Sequence, residues 1–442
     1  MMKNILRLSF VLLTIGVLAA CGAAGETSGG TTNQSSQDND AETGDAGGDS
    51  PIEITYWYAW GDKIGENNEN LVQMFNASHD DIHVTAEYQG SYDDLHAKTQ
   101  AAFAAGHAPE VTQNEIASVG VFANSGMTEN LTPFIEKDDI DLDDFNPGLM
   151  GNSYVNGELY ALPYLRSTPI LYLNQTMLEE KGLDPAGPQT WEAFESYAKT
   201  LTSEGERVGI TMPVNIWFYE AFVAQSDGEM MSEDGKAMAI DSDAGIAPVT
   251  LWKKMMDEGI MKIPTGDEAG AIATQDFVNG RAGMVFSSTA DLTYLLSMAE
   301  DQGFELNTTF MPANQYYGVP TGGANLVMTA GLSKEKQEAA WTFIKWMTAT
   351  EQTAYASEYT GYLPSRLSAI ETEKIQQLYE EKPQFKVAVD QLEYARPRPM
   401  QDQYPQIAKI LQDEITRALI MEDVEPAEAI RTATEKANAL LQ

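Results

Sequence analysis

"IEITYWYAWGDKIGENNENLVQMFNASHDDIHVTAEY", residues 52–88, decides the fold class. Ile52, Ile54 and Tyr56 alternate with Glu53, Thr55 and Trp57, the period of a half-buried strand. The period then lengthens. Leu71, Val72, Met74 and Phe75 cluster as one face of a helix, and "IHVTAEY", Ile82–Tyr88, returns to a strand. A chain that alternates in this way is α/β.

The pattern continues outward. "LHAKTQAAFAAG" is a helix stopped by Gly106, with Pro109 beyond it. Thr190 caps "WEAFESYAKTL", with Glu192 in the first turn. Ser333 opens a helix whose Ala340, Phe343, Ile344 and Met347 fall on one stripe. Ile407, Ile410, Leu411, Ile415 and Leu419 make another stripe. Pro426 opens a last helix with Ile430, Ala433, Ala437 and Leu440 inward. No internal repeat is present.

Upstream of this body, Lys3 and Arg7 precede an apolar run from Leu8 to Ala20, which reads as a secretory leader over residues 1–20. The run is shorter than the ~20 residues a membrane span needs. "LAACG", Leu18–Gly22, resembles the lipobox of bacterial lipoproteins, in which the cysteine takes a diacylglyceryl thioether and becomes the mature N-terminus. Cys21 is the only cysteine of the chain, so the exported body carries no disulfide. Gly22–Ser50 holds almost no apolar side chain larger than alanine and reads as a flexible tether with a reach of roughly 30 Å. About 390 residues follow, too many for one ordinary core and suited to two lobes. The formal charge is −39, and loss of Lys3 and Arg7 with the leader takes it to −41. So acidic a body does not bind nucleic acid through phosphates.

Sequence signatures of catalysis are missing: no G-x-S-x-G, no H-E-x-x-H, no P-loop and no C-x-x-C. His79, His83, His96 and His107 lie on different elements without ligand spacing, so no metal site and no cofactor is expected. The many acids leave open a chance glycosidase pair, and with it a surface-anchored glycoside hydrolase.

Several segments in order resemble the extracellular solute-binding proteins, family 1, of carbohydrate ABC importers: "ITYWYAWG", "QAAFAAGHAPEV", "GELYALPYLRSTPILYLNQTML", "GLDPAGPQTWEAF", "FVNGRAGMVFSSTADL", "GGANLVM", "AAWTFIKWMTATEQTAYASEYTGYLPSR" and "PQIAKILQDEITRAL". Within that family "YQGSYDDL", "RSTPILYLN", "GGANL" and "TGYLP" are most similar to the branch that binds glycerol 3-phosphate and glycerophosphodiesters. The resemblance implies a class II, maltose-binding-protein-like fold of two α/β lobes with the ligand in the cleft between them. Lobe one would be residues 51–166 with 323–366, and lobe two 167–322 with 367–442. Crossovers are expected near Tyr164–Ser167 and Thr321–Gly323, with "GYLPSR" leading back. The implied partners are a glycerol-phosphate or sugar ligand, separate permease subunits with their ATPase, and the cell membrane through the lipid; the chain itself would be an extracytoplasmic monomer.

Carried over by motif, Tyr92 and Glu115 would face the ligand from the first lobe. Ser167 and Ser288 would donate hydroxyl hydrogen bonds, and Gly323 would offer a backbone N–H where a side chain would clash. Tyr362 would hydrogen-bond or stack, and Trp217 would cover an apolar ligand face. Arg398 would hold a phosphate, with Arg396 facing the opposite way along the Pro-rich segment. The same residues also fit plainer roles: Tyr362 and Trp217 as core aromatics, Ser167 and Ser288 as caps, Glu115 as a strand-end acid, Gly323 as a turn. A neutral mono- or oligosaccharide is the alternative ligand. The anchor has a direct check. Cys21→Ser is expected to abolish labelling by a radioactive fatty acid and to move the protein from the membrane pellet to the soluble fraction; unchanged labelling refutes the lipobox reading.

Overall fold

A computed structural model describes residues 50–266 and 268–442. The expected leader, Cys21 and the tether up to Asp49 lie outside these residues. Ile52–Tyr58 is a strand whose Ile54, Tyr56 and Tyr58 turn into the core. It lies between two parallel partners, Ile82–Tyr88 in full register and Val111–Glu115. The sheet continues through Gly322–Met328, antiparallel to Val111–Glu115, to Leu162–Ser167 at its far edge. The helix Asp62–Ser78 packs Leu71, Val72 and Phe75 on this sheet, and Lys334–Met347 adds Phe343, Ile344 and Met347. Met74 departs from the expected face and is 39% exposed. At 100° per residue it projects about 100° away from the centre of the Leu71, Val72 and Phe75 stripe.

A second five-stranded sheet runs in the order Leu306–Thr309, Pro169–Asn174, Ala282–Ser288, Val208–Thr211, Met261–Lys262. Pro169–Asn174 is buried along its whole length because both faces are covered. Leu171 and Leu173 join one core with the helices Ile216–Gln225, Tyr404–Ile420 and Pro426–Leu440. Ile170 and Tyr172 join another with Ala269–Val278, Leu292–Gln302 and Glu373–Glu381. The C-terminal stripes pack here: Ile407, Leu411, Ile415, Ile430, Ala433 and Ala437 are buried, while Ile410 and Leu440 sit at the margin.

The sheets meet at chain crossings. Only Thr168 separates Ser167, which pairs with Gly322 in the first sheet, from Pro169, which pairs with Ser288 in the second. The return passes through Val319–Pro320, which pairs with Ala395–Arg396, and enters the first sheet at Gly322. At the third crossing, Leu363 N–H donates to Arg166 O at 2.7 Å. The Arg166 side chain is fully buried between them. Nε donates to Gly322 O at 2.9 Å, Nη1 to Leu149 O at 2.6 Å and Asn325 Oδ1 at 3.0 Å, and Nη2 to Thr321 Oγ1 at 2.7 Å. Burial pulls its pKa down to about 9, against an upward push from Glu115 and Tyr92, so it stays charged at neutral pH. Arg166→Met removes every one of these donors and leaves buried acceptors unmet. We expect a stability loss of roughly 2–4 kcal/mol, read from the urea midpoint at pH 7; an unchanged midpoint refutes the clamp.

Candidate functional site

A cleft of about 680 Å³ opens where strands of both sheets end. Val111–Glu115, Leu162–Ser167 and Ala282–Ser288 finish at it, and Gly322–Met328 starts from it. Crevices at strand carboxyl ends are where open α/β folds bind ligands, because loops and helix N-termini gather there. Three helices present their N-termini: Tyr92–Ala104, capped by Ser91; Ile216–Gln225, capped by Asn215; and Tyr404–Ile420.

All eight residues singled out from the sequence line this one cleft: Tyr92, Glu115, Ser167, Trp217, Ser288, Gly323, Tyr362 and Arg398. Among the described residues, the buried Tyr92 hydroxyl has no hydrogen-bond partner. Ser288 Oγ accepts from Ala290 N at 3.1 Å, so it is a cap whose own proton remains to donate. Trp217 lays its ring over Gly322 and donates from Nε1 to Thr321 O at 3.0 Å. At Gly323 a side chain would clash with the neighbouring strand: its φ is +83°, and a Cβ there would sit 2.0 Å from Leu165 O.

Arg398 is not a free cation. Its Nε and Nη2 donate side-on to Glu220 Oε2 and Oε1 at 2.8 and 3.0 Å, and Nη1 donates to Glu115 Oε1 at 2.8 Å. Tyr404 Oη donates to Glu220 Oε1 at 2.6 Å. Burial works against the charge on Arg398, but Glu220 and Glu115 outweigh it and hold its pKa above the ordinary value. Burial pushes the Glu115 carboxyl up; Arg398 pulls it down without cancelling the shift. Arg396 faces away and pairs with Glu229 at 2.8 Å.

A family model described as bacterial extracellular solute-binding protein matches residues 70–386. The chain belongs to this family. The solute-binding protein is 26% identical over 412 residues to the sn-glycerol-3-phosphate-binding periplasmic protein UgpB of Escherichia coli K12, covering 88% of this chain and 92% of that one. The same protein of Pectobacterium atrosepticum is 26% identical over 421 residues, covering 90% and 93%. Among solved structures, UgpB from Mycobacterium tuberculosis in complex with glycerophosphocholine superposes with a TM-score of 0.79 at 23% identity, covering 89% and 99%. The GacH receptor of Streptomyces glaucescens, solved unliganded and with acarbose, superposes with a TM-score of 0.78 at 21% identity, covering 88% and 98%. The two-lobe, maltose-binding-protein-like fold is that of these neighbours. The solute-binding protein is therefore a binding component of a transport system and not an enzyme. Among the described residues no group of three or more His, Cys, Asp or Glu is placed to hold a metal, and no helix is long and apolar enough to cross a membrane.

Three residues of the solute-binding protein were not singled out from the sequence as site residues: Trp60 and His96 line the cleft, and Glu220 stands behind Arg398. Trp60 stands at φ +67°, 39% exposed, edge-on to Tyr92 at 5.3 Å. Its place directly after the first strand is the signal that could have found it. Glu220 is the only charge in the otherwise apolar "IWFYEAFVAQ", and a lone buried charge must find a partner. His96 takes the Glu115 N–H on Nε2 at 3.2 Å, and burial lowers its pKa to about 4. A depressed histidine contributes stability that is complete above its unfolded pKa of ~6.5 and lost as pH falls toward 4. His96→Gln keeps an acceptor but does not titrate. We expect its stability to fall less than that of the parent between pH 6.5 and pH 4, by roughly 3 kcal/mol, in urea melts across that range. Parallel curves for the two proteins refute the assignment.

Proposed function

We propose that this solute-binding protein captures a hydroxyl-rich solute of the glycerol-phosphate or sugar class between its lobes and delivers it to a separate ABC permease and its ATPase. The observation that carries this reading is the convergence of Tyr92, Glu115, Ser167, Trp217, Ser288, Gly323, Tyr362 and Arg398 on one cleft. Hydroxyls, an unpartnered phenol and guanidinium N–H groups supply donors and acceptors, while Trp60 and Trp217 supply apolar walls, as a polyol requires. The UgpB relatives support the glycerol-phosphate class, and the three helix N-termini would favour an anion. The carboxylates already on Arg398 favour the second reading, a neutral sugar.

In this reading residues 51–166 with 323–366 form one lobe and 167–322 with 367–442 the other, hinged at the crossings. The chain acts as a monomer outside the cytoplasm, tethered to the bacterial cell membrane through a lipid on Cys21. Only the closed form touches a ligand from both lobes, so binding favours closure. Calorimetry against glycerol 3-phosphate, glycerophosphodiesters and maltose tests the ligand class, and small-angle scattering tests the motion. We expect one class to bind and the radius of gyration to fall at saturation. Binding of none of them refutes the ligand class; an unchanged radius under saturation refutes the closing cleft. Multiple turnovers of any probe would favour a hydrolase instead.

A further inference from the structure

Arg398 is fixed from two sides. Its backbone N–H donates to Asn152 Oδ1 at 3.0 Å and its carbonyl accepts from Asn152 Nδ2 at 2.9 Å. Its guanidinium is held side-on by Glu220, which is itself held by Tyr404. Glu220 is 5% exposed, so little water screens the pair. Three of the five guanidinium N–H groups are used by Glu220 and Glu115. One on Nη1 and one on Nη2 remain. Glu220 offsets the charge that those N–H groups would otherwise carry, and Glu115 adds a second carboxylate beside them.

Of the other charged groups, Arg166 lies buried behind the wall with donors spent on Gly322 O, Leu149 O, Asn325 Oδ1 and Thr321 Oγ1; its charge acts on Glu115 and leaves Glu220 set against Arg398. Asp291 lines the cleft, accepts from the Ser287 hydroxyl and is negative when ionised. Asp93 and Lys409 offset one another among the lining groups, and Lys409 is also paired with Asp413.

We propose that Glu220 sets the charge selectivity of the cleft: by holding and neutralising Arg398 it makes that position a donor to an uncharged hydroxyl and excludes a dianionic phosphate from it. The inference rests on the reading of the cleft as the solute site and narrows it to ligands whose group at Arg398 carries no such charge. Glu220 acts through Arg398 and is a positioning residue. A phosphomonoester, nearly doubly charged at neutral pH, meets repulsion from Glu220 and Glu115 there, whereas a sugar hydroxyl meets the two N–H groups that these carboxylates leave unused.

The test uses the full-length chain in detergent with inorganic phosphate as the probe, at pH 8, by calorimetry and thermal shift. Wild type, Glu220→Gln and Glu220→Asp are compared. Glu220→Gln is expected to bind phosphate at least tenfold more tightly than wild type, and Glu220→Asp, which keeps the charge, to behave as wild type. The gain should vanish in the double variant Glu220→Gln with Arg398→Ala. No gain in Glu220→Gln, an equal gain in Glu220→Asp, or a gain that survives loss of Arg398 each overturns the proposal. Should Glu220→Gln fail to fold by circular dichroism, Glu115→Gln removes the other carboxylate; a smaller gain supports the proposal and an unchanged affinity overturns it. Glycerol 3-phosphate and maltose are titrated in the same series. If neither binds while phosphate gives the expected pattern, the ligand class proposed above fails and the role of Glu220 stands.

Discussion

The Arg166 guanidinium is the tie on which the two-sheet arrangement depends. A buried cation without a carboxylate partner is costly unless its donors are met. Here they are met by Gly322 O and Thr321 Oγ1 on one crossing and by Leu149 O and Asn325 Oδ1 beside it; the strand of Arg166 runs into the crossing at Thr168, and its backbone carbonyl takes Leu363 N–H on the third. The crossings are then held together close to Thr168, where a hinge between lobes would have to turn. Trp217 reinforces the arrangement by reaching from a second-sheet helix to Thr321 O.

The same network extends to the cleft. Arg166 holds Asn325, Asn325 Nδ2 donates to Asn152 O at 3.0 Å, and Asn152 brackets the backbone of Arg398. The position of Arg398 is thus inherited from the crossings, and its charge state from Glu115 and Glu220. A site built in this way has its donors oriented before a ligand arrives, which lowers the ordering cost of binding. It also places opposed influences in one space. Helix N-termini favour negative charge, the carboxylates disfavour it, and the balance is what a change at Glu220 would move.

The secondary structure was largely legible because it is local. Thr190 and Ser333 each cap the helix that follows, and the stripes at Ile407, Leu411 and Ile415 and at Ile430, Ala433 and Ala437 face the core. Met74 was misread because a cluster of apolar residues does not define the centre of a face. The residues carried by quoted motifs line one cleft. Trp60, His96 and Glu220 were not singled out, since an aromatic after a strand, a helical histidine and a single helical acid carry weak local signals.

By itself the sequence determined the α/β alternation, the caps, the lone cysteine with its leader-like run, and the family to which the ordered motifs belong. These are matters of period, composition and short-range spacing. The tertiary structure decided what each motif residue meets. Gly323 is a glycine because Leu165 O approaches it from another strand. Arg398 is neutralised because Glu115 and Glu220, 283 and 178 residues away in the chain, close on it. No local periodicity encodes such distances. They follow from two sheets folding about shared crossings, which brings strand ends remote in sequence to one cleft.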